Sequence, residues 1–203
     1  MQGIKAILFD FGGVLADEGF REGLRSIGRK NGLNPDEFFI TATELIHKTG
    51  YVTALSDERS YWNILREKTG IAGSDEELRR EILGRFTLRP SMLDCAKRLK
   101  SSGYVVGVLS DQTNWLDEIE EKNPFFHHLD YVFNSFHLKK SKRDPSLFRD
   151  VCTVTGLKPG EVLFVDDNGD NIKRANAEGL KTILFGDAAD FGKRMLQFLP
   201  TGC

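Results

Sequence analysis

The sequence contains few cysteines and no long apolar run. Its three cysteines, Cys95, Cys152 and Cys203, lie far apart, form no CxxC pair and match no zinc-site spacing. No apolar stretch approaches the ~20 residues of a membrane-spanning helix. The first ten residues do not resemble a secretory signal, because Asp10 interrupts the apolar run. We therefore expect a cytoplasmic protein that does not enter membranes.

An excess of charge of one sign is also lacking. Lysine and arginine total 28 residues and aspartate and glutamate 30, which gives a formal net charge of −2. Such a balance gives no net positive charge that would attract nucleic acid, so we expect no nucleic-acid partner. Hydrophobic residues make up 40% and charged residues 29% of the 203 positions, as in a globular protein that can bury a sizeable core.

Five short apolar segments have the character of buried strands. They are residues 4–9, 104–109, 131–133, 162–165 and 182–185. Helical patterns alternate with them, and each is followed by a glycine: residues 91–102, 145–155 and 171–178. Continuously apolar strands that alternate with helices are typical of parallel sheets covered on both faces. We predict an α/β protein with a Rossmann-like, doubly wound parallel sheet.

A helical segment interrupts this alternation after the first strand. Residues 16–86 have an almost wholly helical pattern, with a start signal at Asn34-Pro35 and a capping box over residues 74–77. We therefore predict a helical cap formed by residues 16–86. The α/β core domain comprises residues 1–15 and 87–203. Two candidate hinges join the parts: residues 16–19 and 85–90.

Polar side chains follow the predicted strands at the points where these strands end. Asp10 follows the first strand, Ser110 the second, and Asp166 and Asp167 the fourth, while Lys142 comes soon after the third. In an open parallel sheet, ligands bind beyond the carboxyl ends of the strands. We therefore expect these side chains to converge on one site.

These residues stand in four motifs that resemble those of the haloacid dehalogenase (HAD)-like hydrolase superfamily. The motifs are residues 10–15 (DFGGVL), residues 109–110 (LS), Lys142 ahead of residues 144–145 (DP), and residues 165–171 (VDDNGDN). The helical segment is similar to the caps that this superfamily inserts after its first motif. The fourth motif resembles the subgroup that contains sugar-phosphate phosphatases and the phosphatase domain of soluble epoxide hydrolases.

The resemblance implies a phosphatase that hydrolyses a small phosphomonoester, with sugar phosphates among the candidates, through an aspartyl-phosphate. Asp10 would be the nucleophile, and Lys142 would be the catalytic cation. Lys142 would also bind the phosphate, together with Ser110 and Asp111. A carboxylate that approaches a phosphate at about 4 Å is repelled by ~4 kcal/mol at an effective dielectric constant near 20, so this chemistry needs further positive charge.

A magnesium ion would provide that charge, because Mg²⁺ prefers oxygen ligands. The implied ligands are the carboxylates of Asp10 and Asp167 and the backbone carbonyl of Gly12. Asp166 would support Lys142 or a water on the metal. The implied partner is a small phosphorylated metabolite, and the protein is expected to be a monomer or a homodimer.

Position 12 departs from the resemblance. Phosphatases of this superfamily usually have a second aspartate there, which protonates the leaving oxygen, but this chain has Gly12. A phosphatase could use a better leaving group or borrow another acid, such as Asp17, Glu18 or a residue of the cap. The alternatives are a metal-independent 2-haloacid dehalogenase, whose halide leaves without a proton, and a binding module without catalysis. The pair Asp166-Asp167 favours the phosphatase over the dehalogenase.

Asp111 is a second departure, because an asparagine often follows the serine of the second motif. An aspartate adds negative charge beside the expected phosphate site. Besides binding phosphate, Asp111 could turn outward or cap a helix that begins near Thr113.

Overall fold

The computed structural model describes residues 3–199, and its centre is a sheet of five parallel strands. The strands are β1 (Ala6–Phe9), β2 (Val105–Ser110), β3 (Tyr131–Asn134), β4 (Val162–Asp166) and β5 (Lys181–Leu184). Their order in the sheet is β3-β2-β1-β4-β5, so β1 lies in the middle and pairs with β2 and β4. The predicted α/β fold is confirmed, and all five strands lie within two residues of their predicted bounds.

The helices alternate with the strands after residue 90, as predicted. The helices are α1 (Gly19–Lys30), α2 (Pro35–Lys48), α3 (Glu58–Thr69), α4 (Asp75–Leu83), α5 (Pro90–Ser101), α6 (Trp115–Lys122), α7 (Ser135–Leu138), α8 (Ser146–Thr155), α9 (Gly169–Ala177) and α10 (Ala188–Met195). None of those between residues 3 and 199 combines the length and the apolar character that a bilayer crossing requires.

Both faces of the sheet are buried, because successive side chains of a strand point to opposite faces. Ile7 and Phe9 of β1 belong to a large core that includes the apolar faces of α5 and α10. Ala6 and Leu8 belong to a second core, which α8 and α9 cover on the other side. The continuous apolar character of β1, with all four residues fully buried, follows from this double cover.

Helices α1 to α4 lie between β1 and α5 in the chain, where the helical cap is predicted. Their start signals act as the sequence indicates: Asn34 caps α2, and Ser74 forms a capping box with Glu77 at α4. An aromatic cluster, formed by Tyr51, Tyr61, Trp62 and Trp115, joins these helices to the first residue of α6. Its ring centroids lie 4.8–6.0 Å apart. Such contacts hold this part of the helical segment against α6, and the division into domains stays a prediction.

The two connections between the sheet and these helices lie side by side. The Asp17 amide donates to the Thr87 carbonyl at 2.9 Å, and the Arg89 amide donates to the Leu15 carbonyl at 2.8 Å. Between these two bonds, Ala16 and Leu88 form an antiparallel bridge. The candidate hinges are therefore tied to each other by backbone hydrogen bonds.

Candidate active site

A cluster of three carboxylates lies at the carboxyl ends of β1 and β4. Phe9 pairs with Val165 in the parallel register, and the Asp10 amide continues the ladder by donating to the Val165 carbonyl at 2.8 Å. This pairing places Asp10 beside Asp166 and Asp167, although more than 150 residues separate them in sequence. One oxygen of each carboxylate lies within 4.8 Å of one oxygen of the others.

Lys142 brings one positive charge into this cluster. Its ammonium lies 2.9 Å from Asp10 Oδ1 and 2.7 Å from Asp166 Oδ2, and the residue is only 1% exposed. Burial by itself lowers the pKa of an ammonium group, but the carboxylates of Asp10 and Asp166 outweigh burial and hold the pKa of Lys142 well above its usual range. Lys142 is therefore a fixed cation.

Asp166 is held by more hydrogen bonds than its two neighbours. Oδ1 accepts from the Asn168 amide at 2.7 Å. Oδ2 accepts from Lys142 and, at 3.1 Å, from Asn171 Nδ2. Because both oxygens are occupied and the residue is fully buried, Asp166 orients Lys142 and leaves the space above the strand ends to Asp10 and Asp167.

The cluster has more negative than positive charge. Three ionised carboxylates and one ammonium sum to −2. Burial raises the pKa of Asp10 well above its usual range, against the attraction of Lys142, and repulsion by Asp166 raises it further. Burial and then the charge of Asp166 also raise the pKa of Asp167. A formal charge of −2, spread over closely spaced oxygens, matches a divalent cation that prefers oxygen ligands.

The backbone of the first motif leaves room for the Asp167 carboxylate. Gly13 has φ +85°, and a β-carbon at this position would lie 2.4 Å from Asp167 Oδ2. No side chain can therefore stand at residue 13 unless Asp167 moves. This space and the charge balance show that the residues present fit a Mg²⁺ ion bound by Asp10 and Asp167.

Ser110 and Asp111 follow β2 at the same edge of the sheet, and both line the cavity described below. The Asp111 Oδ1 accepts from Ser135 Oγ at 2.6 Å and from the Lys142 amide at 2.8 Å. The alternative prediction, that Asp111 caps a helix beginning near Thr113, is wrong. Helix α6 begins at Trp115 and has Asn114 at its N-cap. The carboxylate instead fixes the backbone of the residue that carries the buried ammonium. Phosphate contact by Asp111 stays a prediction.

A cavity of about 500 Å³ opens above the cluster. Its sheet side includes the predicted residues Asp10, Gly12, Ser110, Asp111, Lys142 and Asp167. The structure therefore brings these predicted site residues together in one cavity, with Asp166 buried beneath them.

The other side of the cavity is formed by residues for which the motifs gave no indication. Phe39, Thr43 and His47 line it from α2. They are spaced by four residues and therefore share one face of the helix. This spacing is the feature of the sequence that indicates a common face. Burial lowers the pKa of His47, although nearby Asp111 opposes the shift.

Glu18 enters the same cavity from the N-cap of α1. Its Oε2 accepts from the Arg21 amide at 3.0 Å, and its side chain is 24% exposed. A β-carbon placed on Gly12 would lie 3.4 Å from Glu18 Oε1. Burial raises the pKa of Glu18 to about 7, although Arg21 opposes the shift. Of the alternative acids proposed from the sequence, Glu18 lines the cavity above Asp10.

Comparison with known proteins supports a hydrolase. The chain is 27% identical to D-ribitol-5-phosphate phosphatase of Bacteroides thetaiotaomicron, over 97% of this chain and 98% of that protein. It is 28% identical to bifunctional epoxide hydrolase 2 of Rattus norvegicus over 57% of this chain. That match covers 22% of the rat protein, so the chain spans about a fifth of the curated epoxide hydrolases it matches.

A solved structure and a family model agree with these relatives. A HAD family enzyme of Bacteroides thetaiotaomicron, in complex with magnesium and inorganic phosphate, superposes with a TM-score of 0.72 at 25% identity, over 93% of this chain and 98% of that one. The family model for haloacid dehalogenase-like hydrolases matches residues 4–179. The chain therefore belongs to the haloacid dehalogenase-like hydrolase family, as the four motifs predict.

Proposed function

We propose that this protein is a Mg²⁺-dependent phosphatase that hydrolyses a small phosphorylated metabolite through an aspartyl-phosphate. The observation that carries the proposal is the cluster of Asp10, Asp166 and Asp167 around the buried ammonium of Lys142. Carboxylates at this density, with one fixed cation, suit the binding of a divalent ion and a tetrahedral anion together.

Asp10 is the nucleophile in this proposal. Its Oδ1 is held by the Phe11 amide at 2.7 Å and by Lys142 at 2.9 Å. Within residues 3–199, no group donates a hydrogen bond to Oδ2, so this oxygen is available for attack on phosphorus. Lys142 offsets the negative charge that builds on the phosphate oxygens. Ser110 lies beside them at the end of β2, where its hydroxyl donates to the phosphate.

The metal ligands in this proposal are the carboxylates of Asp10 and Asp167 and the carbonyl of Gly12. When bound there, Mg²⁺ supplies positive charge that offsets the repulsion between a carboxylate and a phosphate. Asp166 keeps Lys142 in place through its own occupied oxygens.

The substrate class follows from the size and the lining of the cavity. About 500 Å³ holds a small metabolite and excludes a folded macromolecule. On the helical side, Thr43 Oγ1 is buried and has no hydrogen-bond partner among the described residues. Rotation of Thr43 about χ1 would turn this hydroxyl into the cavity that the residue lines, where a leaving group with hydroxyls would bond to it, which favours a sugar or polyol phosphate. The relative of similar length is named for activity on ribitol 5-phosphate.

A 2-haloacid dehalogenase is the second candidate, and Gly12 is the observation that favours it. A halide leaves without a proton, so a dehalogenase needs no acid at position 12. The two further carboxylates, Asp166 and Asp167, weigh against it, because such chemistry needs no divalent cation. The two functions separate experimentally: phosphate release that stops in EDTA supports the phosphatase, whereas chloride release from 2-chloropropionate in EDTA supports the dehalogenase.

The proposal is tested by Asp10→Asn with p-nitrophenyl phosphate and Mg²⁺. We expect turnover to fall by at least about 1,000-fold, because the amide is a poor nucleophile, while circular dichroism stays unchanged. Asp94→Asn is the matched control, since this exposed aspartate lies on α5 and pairs with Lys97. Wild-type turnover in Asp10→Asn would contradict the assigned nucleophile. A wild-type protein that binds Mg²⁺ but releases phosphate from no ester would point to a binding module.

A further inference from the structure

The glycine at position 12 and the side chain of Glu18 occupy one region of the site. A β-carbon on Gly12 would meet Glu18 Oε1 at 3.4 Å, so the carboxylate of an aspartate at position 12 would extend into the space that Glu18 already fills. Gly12 does not have positive φ, so backbone strain does not require a glycine there. The absence of a side chain at position 12 instead leaves room for a carboxylate from elsewhere in the chain.

Glu18 is anchored by one oxygen and free at the other. Oε2 accepts from the Arg21 amide at 3.0 Å and lies 3.4 Å from Arg21 Nε. Among the described residues, nothing donates a hydrogen bond to Oε1. Because the N-cap bond fixes the side chain, Oε1 stays directed at the region above Gly12, next to the nucleophile.

Three other carboxylates near the cavity lack this combination. Asp17 pairs with Arg89 at 3.1 Å, and its side chain is 56% exposed. Glu44 lines the cavity from α2 but pairs with Arg143 at 3.0 Å, and its side chain is 64% exposed. The Oδ1 of Asp111 accepts hydrogen bonds from Ser135 Oγ and from the backbone amide of Lys142.

We propose that Glu18 is the general acid and base of this site and replaces, from the N-cap of α1, the acid that position 12 lacks. This inference rests on the proposed phosphatase function. It makes Glu18 a catalytic residue whose Oε1 contacts the leaving oxygen of the substrate.

In the first step, Asp10 Oδ2 forms a bond to phosphorus, and the bond between phosphorus and the leaving oxygen breaks. The leaving oxygen keeps the electron pair and takes the proton of Glu18, so the alcohol departs neutral. In the second step, the Glu18 carboxylate takes a proton from water as the water oxygen attacks the aspartyl-phosphate. Inorganic phosphate leaves, and Asp10 regains its carboxylate.

The test compares Glu18→Gln with the wild type on two substrates. An alkyl phosphate such as glycerol 3-phosphate has a poor leaving group that needs the proton, and we expect its kcat to fall by about 10²–10⁴-fold. With p-nitrophenyl phosphate, the first step needs no proton. We therefore expect a burst of p-nitrophenol, equal to the enzyme concentration, to survive while steady turnover falls.

Controls separate this role from a structural one. Glutamine keeps an oxygen for the Arg21 amide, so the cap of α1 and the melting temperature should be retained. Asp17→Asn tests the neighbouring exposed acid and should keep wild-type kcat on both substrates. In the double variant Glu18→Ala with Gly12→Asp, we expect at least tenfold recovery of alkyl phosphate turnover over Glu18→Ala.

Two outcomes overturn the inference: unchanged kcat of Glu18→Gln on glycerol 3-phosphate, or loss of the p-nitrophenol burst in proportion to turnover. Both are measured against an active wild type. A wild type that hydrolyses neither ester would instead remove the phosphatase proposal itself, so the two failures are distinguishable.

Discussion

The sheet side of the cavity and the helical side differ in how their polar groups are held. On the sheet side, Asp10, Lys142 and Asp166 are buried and bonded to one another and to the backbone. On the helical side, Glu44 of α2 forms an exposed ion pair with Arg143, which follows Lys142 in the chain, and Thr43 has a hydroxyl without a partner among the described residues.

This difference separates two tasks. Groups that are buried and mutually bonded do not reorganise during a reaction, so they stabilise charge as it develops. Groups that are half-exposed or unpartnered can change partners when a ligand enters. We therefore expect substitutions on the sheet side to lower kcat for every substrate. Apart from Glu18, whose proposed role is catalytic, residues on the helical side should change KM when substituted, and by an amount that depends on the leaving group.

The largest expected effect is that of Lys142→Met. Methionine fills a similar volume but leaves Asp10 and Asp166 buried without their cation, so we expect a loss of about 3–5 kcal/mol in the free energy of unfolding. Activity on every phosphate ester should disappear. Urea unfolding and a substrate panel measure the two losses. A stable variant with activity on even one ester would weaken the distinction between the two sides.

Gly13→Ala tests the space reserved for Asp167. The new β-carbon would lie 2.4 Å from Asp167 Oδ2, so we expect Asp167 to shift, kcat to fall by about 100-fold and Mg²⁺ binding measured by calorimetry to weaken. Gly32→Ala is the matched control. Gly32 also has positive φ, but nothing lies within 4 Å of its added β-carbon. It should lose stability through backbone strain and keep its activity; equal activity losses in both variants would contradict this interpretation.

Thr43→Val tests the helical side. Valine removes a buried hydroxyl that has no partner among the described residues, so the melting temperature should stay the same or rise. For a polyol phosphate we expect KM to increase by about 3–10-fold, the loss of one hydrogen bond. KM for p-nitrophenyl phosphate, which has no hydroxyl on its leaving group, should not change. A uniform increase in KM would show that Thr43 shapes the cavity without selecting the leaving group.

The smallest effect is expected for Glu44→Gln. A hydrogen bond from Arg143, and then its charge, lowers the pKa of Glu44 below its ordinary value of 4.5. A lowered pKa stabilises the folded state above pH 4.5, and this contribution is lost as the pH falls through the folded value. Because both partners are exposed, the difference in unfolding free energy should stay below about 1 kcal/mol. Thermal unfolding should show a larger difference at pH 7 than at pH 3.

The strands and the motif residues could be predicted because their signals are local. An apolar run such as residues 162–165 and the acidic pair that follows it stand together in the sequence. The order of the strands depends on pairing between distant segments, so no local pattern contains it. The role we propose for Glu18 was open for a similar reason: Asp17 and Glu18 are adjacent acids, and only the turn into α1 directs one to Arg89 and the other into the cavity.

The paired connections at residues 15–17 and 87–89 bear on how the molecule could open. Because Asp17 is bonded to Thr87, and Arg89 to Leu15, neither connection can swing without the other. The four helices therefore share one two-stranded connection to the sheet. Glu18 directly follows this connection, whereas Asp10 precedes it. A rotation of the helices about the connection would therefore change the distance between the proposed proton donor and the nucleophile.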